Sequence, residues 1–337
     1  MENFEYLPYF RKPEPDFGRL KTVLTRSGRP DYVPVYELYA NVETIRKFMD
    51  GRDAGPSHYL FYLWAGYDYV PVWPDLQMEL GSLVDTSKPY PITGLPSLEA
   101  YAWPRKEEMG ASAFEQLKPL LPEGMCIIGQ TGGPFEMAQQ LTGYQNLCYF
   151  LYDEPELVER LFFQIGRIYE DLYTLMAAQP GVGALVISDD MGYKNGPMVG
   201  YDTLRRYVKP IHAKIVQIAH QAGLPVILHS CGSLGPLLDE WIDEVGVDAK
   251  HSFEDGILPV AQAYQQCWPR AAILGGYDLN RLCHDTPKEV YAHCRELIEM
   301  GRQGGYALGS GNSIPDYVPA DNYLAMLNAA RDARLNP

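Results

Sequence analysis

The chain has 337 residues, 46% of them hydrophobic, and 28 Lys and Arg against 43 Asp and Glu give a formal net charge of −15. That length suits one large barrel or two ordinary domains, and the composition is that of a globular protein. The acidic balance argues against nucleic acid, whose phosphates need a basic surface, and against docking on anionic membranes.

Residues 1–30 are polar and contain prolines. They are expected as an N-terminal extension packed on a single domain formed by 31–337. The opening Met-Glu-Asn-Phe-Glu-Tyr lacks the basic and apolar regions of a signal peptide. Residues 33–38, Val-Pro-Val-Tyr-Glu-Leu, read as a first strand, and 42–49 follow with helical spacing. Residues 67–73 read as a second strand. The irregular stretch 74–122 is expected to form excursions and a lid, with a helix near 111–120. An apolar run at 125–129 is a third strand, leading into Gln130 and Thr131; helices follow near 135–141 and 156–176. A fourth strand at 184–188 ends in Asp189 and Asp190, and Gly223 stops the next helix, 201–221. Residues 225–230 are a fifth strand. A helix at 237–245 precedes a sixth strand, 247–250, which ends at His251. The pattern continues with a helix near 258–266, a strand at 271–274, a helix at 287–300 and an eighth strand at 305–308. A helix at 320–331 closes the chain.

Eight strands alternating with helices predict an α/β fold, a (β/α)8 TIM barrel. The alternative, a doubly wound open sheet, calls for a nucleotide loop, and the only glycine-rich stretch, 129–133, fits no such motif. No apolar run approaches the ~18 residues of a membrane span. The six cysteines are scattered without a disulfide framework, which points to free thiols in a reducing cytoplasm.

Active sites of such barrels lie at the C-terminal strand ends. The residues gathered there are Glu37, Tyr39 and Asn41, Asp68, Gln130 and Thr131, Asp189 and Asp190, His229 and Cys231, His251, Asp278, and Ser310 and Asn312. The strand ending in His229-Ser-Cys-Gly stands out. Residues two apart on a strand face one side, so imidazole and thiol converge, a pair that suits zinc. The two adjacent carboxylates, Asp189 and Asp190, face opposite ways, so at most one enters the pocket. Asp278 and Asp255 read as helix caps or turn residues. His212 and His220 are expected on a helix surface.

The run His229-Ser-Cys-Gly, then Val245-Gly-Val-Asp, Gly275-Gly-Tyr-Asp and Gly309-Ser-Gly-Asn-Ser-Ile-Pro resemble the uroporphyrinogen decarboxylase superfamily, from about residue 33 onward. The resemblance implies a barrel and one of two chemistries, porphyrinogen decarboxylation or zinc-assisted methyl transfer involving a corrinoid. The decarboxylases carry an arginine-bearing segment after their first strand; residues 35–41 here hold no arginine, and their late Gly-His-Gly is Gly309-Ser310-Gly311. The decarboxylase is therefore rejected. In the methyltransferase branch the zinc ligands are a His-x-Cys pair and a later cysteine. His229 and Cys231 match the pair, and Asn312 stands in the place of the later cysteine.

What the resemblance implies is a cobalamin-dependent methyltransferase, with the corrinoid carried by a partner protein and zinc as a possible metal. It moves a methyl group from a small donor, an aryl methyl ether being favoured, to cobalt. The alternatives are methyl transfer from the corrinoid to a thiol and a non-catalytic corrinoid- or tetrapyrrole-binding barrel. His229, Cys231 and Glu37 are the expected metal ligands, or His229 itself donates a proton. Asp189, Glu37 and His251 join His229 as expected catalytic residues. Tyr36, Tyr39, Asp68, Tyr69, Gln130, Phe135 and Asn312 are the expected substrate contacts.

Overall fold

Seven parallel strands form one sheet in the computed structural model, which describes residues 14–49, 58–85, 87 and 89–335. In spatial order they are β1 (Tyr69–Val72), β2 (Cys126–Gly132), β3 (Val182–Ser188), β6 (Val226–His229), β7 (Ala249–His251), β8 (Ala272–Leu274) and β9 (Tyr306–Ala307). A short antiparallel hairpin, β4 (Gly192–Tyr193) and β5 (Gly196–Pro197), stands outside the sheet. The strands are short and buried on both faces, as their Val, Ile, Leu and Ala content requires of a parallel sheet covered by helices.

The covering helices bury regular stripes. Pro155–Ala177 places Leu157, Leu161, Ile165, Ile168, Leu172 and Met176 against the core at three- and four-residue spacing. Pro287–Gly301 begins with Thr286 and Glu289 in a reciprocal capping box and Pro287 in the first turn. The expected helices over 201–221 and 237–245 each contain one wider turn, at Leu204–Val208 and at Trp241–Val245. Much of the tyrosine is core. Tyr173 donates to the Val186 carbonyl at 2.6 Å, Tyr306 to that of Gly275 at 2.9 Å, and Tyr67 meets Tyr323 at 2.8 Å. Such a partner offsets the cost of burying the phenol hydroxyl.

The sheet curls until its two edges flank residues 33–38. On one side Val35 pairs with Leu308: the Tyr36 N–H donates to the Leu308 carbonyl at 2.7 Å, and the Leu308 N–H to that of Pro34 at 2.8 Å. On the other side the Tyr69 hydroxyl, not a backbone, takes the Glu37 peptide. It lies 2.7 Å from the Glu37 N–H and 2.5 Å from the Glu37 carbonyl. The predicted first strand is thus corrected to a single bridge plus a side-chain latch. Pro34 has no N–H to extend a ladder, and the phenol occupies the gap that a β1 backbone would fill.

One end of the sheet is sealed. Helix Phe17–Thr25 buries Phe17, Leu20, Val23 and Leu24. The Phe17 N–H donates to the Gly124 carbonyl, the Asp16 N–H to Asp68, and Arg26 to the Asp248 carbonyl. Gly124, Asp68 and Asp248 all precede strands, so this helix crosses the N-terminal strand ends. Residues 1–13 of the expected extension lie outside the described residues. The C-terminal ends hold the site.

Candidate metal centre and its surroundings

Register decides which side chains meet. β3, β6 and β7 are aligned so that Ser188 pairs with His229 and His229 with His251. The two imidazoles therefore lie side by side, Nδ1 to Nδ1 at 2.8 Å. Burial pulls the His229 pKa down to about 4 and holds that of His251 well below its ordinary value. Both rings are neutral at pH 7, so one Nδ1 donates and the other accepts.

Past β6 the chain turns at Gly232, which has φ +74 and lies against the hairpin. A Cβ at Gly232 would fall 2.4 Å from the Gly192 carbonyl carbon, so only glycine fits both the conformation and the contact. This turn brings the Cys231 N–H to Asp190 Oδ1 at 2.7 Å. Asp190, His229 and Cys231 then present one ligand atom each, all within 4.8 Å of one another. His229 Nε2 stands 3.6 Å from Cys231 Sγ and 3.7 Å from Asp190 Oδ1. Tetrahedral zinc with bonds of about 2.0–2.3 Å separates its ligand atoms by about 3.3–3.6 Å. The triad therefore fits a zinc ion with an oxygen, a nitrogen and a sulfur ligand. His229 would bind through Nε2 and donate its Nδ1–H to His251, the usual outer support of a ligating imidazole.

The sulfur is embraced by donors. Asn312 Nδ2 lies 3.2 Å from Cys231 Sγ and the Ser252 hydroxyl donates to it at 3.4 Å. Burial, and next the Asp190 charge, push the Cys231 thiol up to about 12. Even with the Lys250 ammonium nearby this cysteine stays protonated at pH 7.

Other expected site residues fall elsewhere. Asp189 is fully buried and turned away from the triad. Its carboxylate accepts from the Phe135 and Glu136 N–H groups at the start of helix Pro134–Thr142, and from His212 at 3.1 Å. His212, expected on a surface, is buried and accepts from Trp241 Nε1 at 2.7 Å. Glu37 is not among the triad. Its two oxygens accept from the Ser310 N–H and hydroxyl, both at 2.6 Å, and burial pushes its pKa up to about 8. Asp68 lies at the sealed end beside Asp16, its pKa raised to about 6 by burial. Tyr69 is committed to Glu37. Tyr36 sits edge-on to His251 at 5.0 Å between ring centroids. Gln130 donates to the Leu38 carbonyl at 3.3 Å, and Phe135 is core. Tyr39, at the rim, meets Trp73 edge-on at 5.8 Å.

Three residues at this end had not been singled out: Ser252, Lys250 and Glu136. Burial, then the charges of Asp189 and Asp190, raise the Glu136 pKa to about 8. Its place, two residues past Pro134 in the run Gly132-Gly133-Pro134 at the end of β2, was the available signal.

The family model described as uroporphyrinogen decarboxylase (URO-D) matches residues 91–333. A uroporphyrinogen decarboxylase from Bacillus mycoides is 25% identical over 262 residues, covering 73% of this chain and 69% of that protein. One from Bacillus anthracis is 24% identical over 260 residues, with the same coverage. Among solved structures, a methyltransferase from Methanosarcina mazei superposes with a TM-score of 0.73 at 19% identity, covering 95% of this chain and 99% of that one.

Proposed function

The chain belongs to the uroporphyrinogen decarboxylase (URO-D) family, and from that premise we propose that it is a methyltransferase rather than a decarboxylase. The reaction moves a methyl group from a small donor, an aryl methyl ether, to a corrinoid carried by a separate protein. The curled seven-stranded sheet and the 33–38 segment between its edges support the reading of a single (β/α)8-type barrel domain, with the described residues 14–30 belonging to its N-terminal extension. The observation that carries the reading is the Asp190–His229–Cys231 triad at the open strand ends. The likeness to the Methanosarcina mazei methyltransferase supports the same architecture. Against decarboxylation stands the arginine-free segment 35–41, since a substrate with eight carboxylates needs cations to hold it.

An aryl ether is a poor methyl donor because negative charge builds on the departing oxygen. The work of this chain is to hold that oxygen. Zinc bound by Asp190, His229 and Cys231 would supply a Lewis acid there. His229 is kept neutral by burial and oriented by His251, and so presents a lone pair at Nε2. Asp190 and His229 supply hard or borderline donors, and Asn312 supplies a hydrogen bond to sulfur from the position where the resemblance to the methyltransferase branch implies a later cysteine. A ligand set with one sulfur favours an oxygen substrate over a thiol.

The test is spectroscopic. Zinc-loaded protein is mixed with reduced cobalamin and aryl methyl ethers, or with methylcobalamin and thiols, and the cobalt spectrum is followed. Cobalt methylation by the ether is expected. Demethylation by thiol alone would reassign the substrate, and silence in both arms would sink the enzymatic reading.

A further inference from the structure

Lys250 is 3% exposed and lies on β7, between Ala249 and His251. Successive side chains on a strand face opposite ways, so it leaves the sheet on the face away from His251. There its ammonium spends all three protons on backbone carbonyls. It donates to Ser230 at 3.0 Å, to Ser252 at 2.9 Å and, at a shorter distance, to His251. It also stands 4.8 Å from the centre of the Phe253 ring. These carbonyls belong to the two strand ends that carry the site: Ser230 sits between His229 and Cys231, and Ser252 follows His251.

Ser252 is itself unusual. Its φ is +79, one of only two positive values among the described non-glycine residues. An L-residue there is strained, and such strain persists only where the surroundings impose it. Two contacts impose it. Lys250 holds the Ser252 carbonyl, and the Ser252 hydroxyl reaches Cys231 Sγ at 3.4 Å. A buried ammonium is costly to desolvate, and capping carbonyls alone does not call for one.

We propose that Lys250 and Ser252 are positioning residues that clamp the two strand ends together and hold the Cys231 sulfur in its ligating place. The clamp works from behind. A cavity of about 460 Å³, lined by Lys250, Phe253, Cys267 and Arg270 among others, opens on the face from which Lys250 enters. The proposal rests on Cys231 being a metal ligand, and its test separates the two.

Zinc affinity is measured by chelator competition for wild-type protein, Lys250→Met, Lys250→Ala and Ser252→Ala. The cobalt(II)-substituted forms are compared by their sulfur-to-cobalt charge-transfer band. Each variant is expected to lose about 10–100-fold in affinity, the usual cost of removing outer support from a metal ligand, and to show a weakened band. The cavity lets n-propylammonium replace the missing group, so it restores both readouts in Lys250→Ala. Equal losses with and without the amine would overturn the role given to the ammonium. In metal-free protein, Cys231 alkylation by iodoacetamide, read by peptide mass, is expected to be several-fold faster in Lys250→Met and Ser252→Ala. That response with no zinc binding in wild-type protein would keep the clamp and discard the metal. Wild-type alkylation and wild-type zinc affinity in both variants would discard the clamp. Ser252→Ala deletes one hydroxyl and leaves all three carbonyl contacts, so it carries the test even if the lysine variants fail to fold.

Discussion

Asp189 and Asp190 are neighbours in the chain and serve opposite purposes. Asp190 belongs to the triad, and Asp189 ties helix Pro134–Thr142 to His212 and Trp241. Asp190→Asn is therefore expected to weaken zinc binding and methyl transfer while leaving the unfolding midpoint unchanged. Asp189→Ala strands two backbone N–H groups and a buried imidazole, and is expected to cost about 3–5 kcal/mol in denaturant unfolding. Reversed outcomes would exchange their roles. His229→Ala and Cys231→Ser should each abolish methyl transfer with the far-ultraviolet spectrum intact, and Asn312→Cys should tighten zinc. Methyl transfer at the wild-type rate by either single variant would return the pair to strand-end packing. Strand parity made His229 and Cys231 legible from sequence, because His229 ends β6 and Cys231 stands two residues on. For the aspartates, parity placed at most one of the two in the pocket without saying which: Asp189 was expected to be catalytic, and Asp190 is the one that meets His229 and Cys231. His212 was legible and missed: it lies four residues from both Val208 and Val216, on the buried stripe.

At the scale of elements, segment 33–38 is held by one backbone bridge and one phenol. Tyr69→Phe removes both partners of the Glu37 peptide and is expected to destabilise the protein by about 1–3 kcal/mol, read as a shifted denaturant midpoint. Glu37, anchored to Ser310, gives the same segment a pH signature. Its folded pKa of about 8 stands above the ordinary 4.5. Between those values the unfolded chain has released a proton that the folded chain keeps, so stability is full below pH 4.5 and falls as pH rises to about 8. Glu37→Gln should flatten that fall, and an unchanged stability slope over this window would refute the assignment. Periodicity and turn chemistry foretold the long helices and their starts, such as Thr286-Pro287 before Pro287–Gly301. They did not foretell helix Tyr59–Ala65, whose Tyr-Leu-Phe-Tyr-Leu-Trp-Ala has no polar face to set a period. Nor could Val-Pro-Val-Tyr-Glu-Leu announce that a side chain from β1 would replace its ladder.

The whole molecule has one closed end and one open end. Helix Phe17–Thr25 covers the N-terminal strand ends, while Tyr39, Trp73, Tyr193 and Tyr317 stand exposed on segments that follow C-terminal strand ends. Among the described residues no helix is long and apolar enough to cross a membrane. A net charge of −15 leaves little basic surface for gripping an acidic partner, whereas exposed aromatic rings bury well against a protein face. Under the proposed reading, the corrinoid arrives on its own carrier and meets this rim. The isolated chain is accordingly expected to emerge from gel filtration free of cobalamin after incubation with it. Trp73→Ala and Tyr193→Ala should raise the KM for the carrier protein several-fold and leave the rate with free cobalamin unchanged. Stoichiometric cobalamin retained through the column would mean that this chain is itself the carrier. Equal effects of the two substitutions on free and carried cobalamin would place those rings in the substrate pocket instead of at a docking surface.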